Sequence, residues 1–210
     1  MTHSRQQKFW NRIAGRYAAR PLKDVAAYEA MLADVASRLK PSDRVLELGC
    51  GTGGTAIRLA VGVAHWTATD FSSEMIEIAR AKPAGENVSF VVADAGNAFD
   101  GGPFDAICAF NVLHLVEDHP AALARIFANL KPAGLLITKT WCFADMPLKL
   151  RALFSLLRVI GMFPATTSLT VPQLRQAILE AGFEIAEERI FGKHWQNPYI
   201  VARKPELSDR

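Results

Sequence analysis

The sequence predicts an α/β fold built on a doubly wound parallel sheet, and three observations predict it. Apolar, strand-like runs alternate with helical stretches from residue 43 to residue 140, the first run ends in a glycine-rich turn, and later runs end in an acid or an amide. Val45-Leu46-Glu47-Leu48 reads as a buried parallel strand and residues 52–60 as the helix that follows. Further strands are expected over 65–69, 88–92, 104–110 and 135–140, with helices near 73–81 and 120–130. Lys40-Pro41-Ser42-Asp43 and Lys131-Pro132-Ala133-Gly134 punctuate the chain as turns before strands one and five. Residues 5–39 read as two helices, the first with Phe9, Trp10, Ile13 and Tyr17 on one face. Beyond the alternating core, 143–172 forms an insertion, 171–181 a helix, and 183–190 with 199–202 a closing β-hairpin. The expected organisation is one domain over 1–210: a helical cap (1–40), a ligand-binding core (41–142), a helical insertion or lid (143–172), a C-terminal helix and hairpin (173–203) and a tail (204–210).

Bulk properties narrow the function. With 210 residues, half of them hydrophobic, the chain can bury a sizeable core. A net charge of +3 with no long basic run argues against a nucleic-acid partner. The three cysteines have no C-x-x-C spacing, which speaks against a disulfide framework or a structural zinc; Cys50 and Cys108 read as buried free thiols of a reducing compartment. No acidic or histidine cluster implies a metal. The N-terminus has no apolar signal region, and no apolar run reaches the roughly 20 residues of a membrane span, so a cytoplasmic, soluble protein is expected.

The chemistry begins at Gly49-Cys50-Gly51-Thr52-Gly53. Glycines at a strand-to-helix turn let the backbone bend sharply and let a ligand come close. The spacing is G-x-G-x-G, yet Gly54 completes G-x-x-G from Gly51, so the pattern by itself leaves a dinucleotide site open. Glu47, two residues before the first glycine, would repel a pyrophosphate and could pair with a cationic amine. Asp70, followed by Phe71, ends the second strand 23 positions after Glu47, where an acid can accept hydrogen bonds from both hydroxyls of a ribose. Asp94 and Ala95 follow the third strand and can meet an adenine amino group and ring, although Asp-Ala-Gly-Asn is also turn-forming. Asn111 and His114 follow the fourth strand, so four strands deliver polar groups to one rim.

These residues resemble the class I S-adenosylmethionine (SAM)-dependent methyltransferases of the small-molecule type. The resemblance rests on LELGCGTG (46–53), Asp70, the VVADA segment (91–95), FNVLHLVED (110–118) and LKPAGLLITKT (130–140), in the family's order and spacing over about half the chain. The ends, FWNRIAGRYAARP and AGFEIAEERI…YIVARK, resemble an uncharacterised bacterial branch. The resemblance implies a Rossmann-like seven-stranded sheet with the last strand antiparallel. It implies that Glu47 and the loop Gly49, Cys50, Gly51 and Gly53 meet the amino-acid portion of SAM. Asp70 would hold the ribose, Asp94 and Ala95 the adenine, and Asn111 would lie beside the sulfonium. Tyr17 and Arg16, in the cap, stand where relatives close over the methionine moiety. The product would be S-adenosylhomocysteine (SAH), and the acceptor a small, hydrophobic or amphipathic molecule methylated on oxygen or nitrogen.

Several residues keep two readings. His114 is a candidate general base by its side-chain chemistry, but Leu113-His114-Leu115 equally suits a packed histidine. Tyr17 lies on the apolar face of its helix, where core packing competes with closure over a cofactor. Trp141 is a candidate wall of the acceptor pocket, and Lys139 is expected to satisfy a loop carbonyl. Residues 146–163 contain Lys149, Arg151 and Arg158 and no acid; they read either as a helical lid packed over the sheet or as an interfacial helix that meets anionic lipid or a lipid-like acceptor. A lipid methyltransferase and a SAM-binding sensor without catalysis are the alternative functions; Glu47 and the glycine spacing disfavour a nicotinamide-dependent reductase.

Overall fold

The computed structural model describes residues 3–206. Residues 1–2 of the expected cap and 207–210 of the expected tail lie outside the described residues. Along the chain run α1 (His3–Ala18), α2 (Val25–Arg38), β1 (Arg44–Leu48), α3 (Gly54–Leu59), β2 (His65–Asp70), α4 (Ser73–Arg80), β3 (Val88–Val92) and β4 (Phe104–Phe110). These are followed by α5 (His119–Ala128), β5 (Leu130–Lys139), α6 (Leu148–Val159), α7 (Val171–Glu180), β6 (Glu184–Arg189) and β7 (Tyr199–Arg203). The strands make one sheet in the order β3-β2-β1-β4-β5-β7-β6. β1 to β5 are mutually parallel, and β7 runs antiparallel between β5 and β6. The strand order reverses between β1 and β4, and in such sheets that crevice, at the carboxyl ends of the strands, is where ligands bind.

Alternation along the central strands divides the core in two. Val45, Trp66, Ala68 and Cys108 face α2, α3 and α4, packing with Met31, Val35, Leu59 and Ile76. Leu46, Leu48, Ile107 and Leu136 face α5 and α7, packing with Leu123, Ile126, Leu174 and Ile178. Because both faces are covered, these strands read as nearly continuous apolar runs.

Two expected boundaries move. β5 starts at Leu130, ahead of the expected 135, because buried Leu130 already pairs with Phe104. The Lys-Pro-Ala-Gly stretch is an irregularity within this ladder, where the register shifts and Ala133 takes a φ of 61°. α3 begins at Gly54 because Gly53, its N-cap, is left-handed at φ 76°. The insertion contributes α6, in which no residue is buried.

The cap is tied to the far edge of the sheet by Asp34. Its carboxylate accepts from Arg38 Nε at 2.7 Å, Arg189 Nη1 at 2.9 Å and the Tyr199 hydroxyl at 2.6 Å. Glu187 joins the network through Arg38 and Arg189. One carboxylate thus holds α2 to β6 and β7. Asp34→Ala should lower stability by about 2 kcal/mol in urea denaturation, leaving the Tyr199 hydroxyl without this acceptor and Arg38 and Arg189 with Glu187 alone. Asp34→Asn, which keeps an acceptor oxygen, should lose less.

Candidate functional site

The chain leaves β1 through a loop in which Gly49, Gly51 and Gly53 all have positive φ, at 65°, 54° and 76°. At two of them glycine is also required by contact. A Cβ on Gly49 would lie 2.6 Å from Val112 Cγ2, and one on Gly53 would lie 2.6 Å from Phe90 Cε1. Gly54 faces open space. The fold therefore uses G-x-G-x-G, and the third glycine of a dinucleotide fingerprint, needed for close helix packing, has no counterpart at Gly54. Cys50 is buried in this loop, its thiol pushed well up by burial and then by the Glu47 and Asp70 charges.

Asp70 clamps the loop. Its Oδ2 accepts from Gly51 N and its Oδ1 from Ser72 N, both at 2.9 Å. Each oxygen keeps a second lone pair for a ligand hydroxyl. Burial raises its pKa, opposed by the two N–H donors. Tyr17 overhangs the loop, its ring 3.7 Å from where a Gly51 Cβ would stand and still 45% exposed. Shielding of its hydroxyl, then the Asp70 charge, raise its pKa.

Glu47 points into the core on the α2–α3 side and is 2% exposed. Its Oε2 accepts from Trp66 Nε1 at 3.0 Å. Burial, with a smaller contribution from Asp70, pushes its pKa up to about 8. The carboxyl is therefore mostly protonated at neutrality, and a cation brought close to it would favour the ionised form.

A cavity of about 350 Å³ opens beside the loop, within the range of small-molecule sites. Gly49, Phe71, Val112 and Leu115 supply apolar wall, and residues 94–96 border it. Its charged lining is three acids (Asp94, Glu117, Asp118) and one cation (Arg125) among the described residues, a setting that suits amines and hydroxyls better than phosphate. Asp94 Oδ1 also accepts from Gly96 N at 2.5 Å, shaping the loop after β3. Asn111, at the end of β4, has a φ of 55°, a left-handed conformation uncommon outside glycine that commonly marks functional turns.

The structure thus brings Tyr17, the glycine loop, Asp70, Phe71, Asp94, Ala95 and Asn111 to one rim at the strand ends, with the Glu47 carboxyl buried behind it against Trp66. Sequence reasoning missed the polar face of α1. Gln6 lines the cavity, Gln7 Nε2 donates to Phe71 O at 2.7 Å, and Asn11 Oδ1 accepts from Ser72 Oγ at 2.6 Å. The signal was the i, i+4 spacing of Gln7 and Asn11 beside the apolar stripe.

His114 and Trp141 stand apart from that cavity. His114 is buried, its Nδ1 has no partner among the described residues, and burial lowers its pKa to about 4. Its ring packs 5.4 Å from Phe143, which lies 6.3 Å from Trp141 and 5.6 Å from Phe154 of α6. Trp141 also meets His194 at 5.3 Å. Lys139 Nζ donates to Phe191 O at 3.3 Å and so satisfies a loop carbonyl.

Residues 45–134 match the family described as "Methyltransferase domain". The demethylmenaquinone methyltransferase of Clavibacter sepedonicus is 37% identical over 109 residues, which is 50% of this chain and 44% of that protein. This chain therefore spans less than half the length of that relative. A SAM-dependent methyltransferase from Mesorhizobium loti shares the fold with a TM-score of 0.70 at 20% identity, covering 85% of this chain and 98% of that one. Magnesium protoporphyrin IX methyltransferase from Synechocystis PCC 6803, solved with bound SAH, has a TM-score of 0.68 at 22% identity over 94% of this chain and 93% of its own.

Glu47 makes stability depend on pH. Between its ordinary value of 4.5 and about 8 the folded protein holds a proton that the unfolded chain releases. Stability contributed by this group is therefore full below 4.5 and is lost as pH rises through about 8, at roughly 1.4 kcal/mol per unit. Glu47→Gln keeps an acceptor for Trp66 and cannot ionise. Its stability advantage over wild type should grow by a few kcal/mol from pH 5 to pH 8.5 in urea melts; parallel pH profiles would show that Glu47 is not the titrating group.

Proposed function

We propose that this chain, a member of the class I SAM-dependent methyltransferase family through its residues 45–134, transfers a methyl group from SAM to a small hydrophobic or amphipathic acceptor. The observation that carries this reading is the left-handed glycine loop clamped by Asp70 beside an acid-lined cavity at the β1/β4 switch point. The residues present fit SAM. The free lone pairs of Asp70 would hold the ribose hydroxyls, while Asp94, the Ala95 backbone and the Phe71 and Val112 walls would take the adenine. Glu47, buried with no cation acting on its carboxyl among the described residues, would pair with the methionyl amine through the glycine loop. Asn111 would offer its carbonyl to the same amine, and Tyr17 would close over it.

When bound, SAM supplies a methyl group already activated on a sulfonium, so the protein's part is alignment and exclusion of water. Val112 sets the distance between the loop and the end of β4, while α1 lines the cavity through Gln6 and overhangs the loop through Tyr17. His114 is neutral at physiological pH, and its low pKa makes it a weak base. Its orphan Nδ1 suits a hydrogen bond to the acceptor, and the aromatic group of Trp141, Phe143 and Phe154 supplies an apolar wall next to it. A cytoplasmic setting agrees with three buried, reduced cysteines.

SAM at saturating concentration should raise the Tm, and NAD(H) should not. Asp70→Ala should weaken SAM binding at least tenfold by calorimetry; a raised Tm with NAD(H) alone, or unchanged SAM affinity in the variant, would sink the assignment. His114→Ala should leave SAM affinity intact and lower kcat less than about tenfold with a flat pH profile from 6 to 8. A loss of 10² or more, the size expected for general-base catalysis, would restore His114 as the base.

A further inference from the structure

Residues 1–23 and 146–179 contain no acid. Residues 1–23 carry six Lys and Arg, and residues 146–179 carry four, so the remainder of the chain is net acidic. In α1, Arg5, Lys8, Arg12 and Arg16 recur at i, i+3, i+7 and i+11 and share one exposed face. The fold brings this face to the end of α6, where Arg12 Nη2 donates to Gly161 O at 2.7 Å. A cavity of about 320 Å³ opens there, lined by Arg5, Lys8, Arg12 and Arg158 together with Phe9 and Phe163, and among the described residues no acid lines it. Arg158 Nη2 donates to Thr166 Oγ1 at 2.8 Å, while its Nε is buried with no partner among the described residues.

Beside this cavity, α6 turns apolar side chains outward. Leu148 is 77% exposed and Val159 84%, with Leu153, Leu156 and, just beyond the helix, Met162 also exposed. The helix is held instead by Phe154, whose ring packs 5.6 Å from Phe143 and 4.7 Å from Phe163. Lys149 and Arg151 are exposed on the same helix. An apolar face this large marks an interaction surface. Its cations select the partner. A second copy docking through the same face would set like charges against each other, and a free anion would fill the cavity yet leave the leucine row in water. An anionic bilayer satisfies both features at once.

We infer that the α1–α6 face docks on an anionic membrane surface, with headgroup phosphates in the Arg5–Lys8–Arg12–Arg158 cavity and the α6 leucines among the acyl chains. The inference does not depend on methyl transfer. Phe143 links the docked helix to His114.

The test is co-sedimentation of the full chain with vesicles of phosphatidylcholine alone and of phosphatidylcholine with about one third phosphatidylglycerol. Binding to the mixed vesicles should be at least tenfold tighter and should weaken with salt. Each cation removed should weaken it about fivefold. The pair Lys8→Glu and Arg151→Glu should therefore lose more than 20-fold, and Leu156→Asp with Val159→Asp should abolish binding. All these variants should keep the wild-type Tm and its shift with SAM. Equal affinity for both vesicle types, or none for either, overturns the inference. So does a dimer that Val159→Asp dissolves in light scattering, or a Tm raised by inorganic phosphate in a protein that ignores vesicles.

Discussion

The carboxylate of Asp70, accepting one N–H from the glycine loop and one from the turn into α4, is the constraint on which the rim of the site depends. The loop after β1 is left-handed at three positions, and Gly51, unlike Gly49 and Gly53, has no close neighbour to wedge it in place. A charge-assisted hydrogen bond from its N–H supplies that restraint. The other oxygen fixes Ser72, whose hydroxyl caps α4 by accepting from Met75 N and donates to Asn11 in α1. One buried side chain therefore sets the loop, the start of α4 and the seat of the cap helix.

The strands were legible because parallel strands covered on both faces leave continuous apolar runs, as in Val45–Leu46 and Ile107–Ala109. β5 was legible only from Leu135 onward. Lys-Pro-Ala-Gly carries turn residues, and nothing local reveals that Leu130 has already paired with Phe104 across the sheet. The glycine spacing was ambiguous in the sequence because Gly54 sits at the dinucleotide position; only the open space around it separates the readings. Asp70 and Asn111 could be placed at strand ends from chain position. The partner of Glu47 could not, since Trp66 reaches it through sheet register. The insertion was the least legible: an apolar helix reads the same whether it covers a sheet or faces outward, and in α6 no residue is buried.

Glu47 and His114 show how burial sorts titratable groups by role. Both are shielded, and in both shielding favours the neutral form, which raises the acid to about 8 and lowers the histidine to about 4. The consequences differ. A neutral histidine remains a hydrogen-bonding group and loses only its strength as a base. A neutral acid loses its attraction for a cation, and regains it when a cation arrives to share its site. Glu47 thus lowers stability above its ordinary pKa in the free protein and would gain most from an amine-bearing ligand.

The net charge of +3 conceals a separation that composition alone cannot reveal. Acids gather where the strands end, at Glu47, Asp70, Asp94, Glu117 and Asp118. Cations gather where α1 meets α6. Screening confines each group's influence to about 8–10 Å at physiological salt, so the two fields act on different molecules rather than cancelling. A cationic ligand would be drawn to one end of α1, where Tyr17 overhangs the loop held by Asp70, and an anionic surface to the face of Arg5, Lys8 and Arg12. α1 is the element common to both. Its Gln7 and Asn11 hold Phe71 and Ser72 beside Asp70 while Arg12 holds the end of α6, so one helix joins the cationic face to the strand ends.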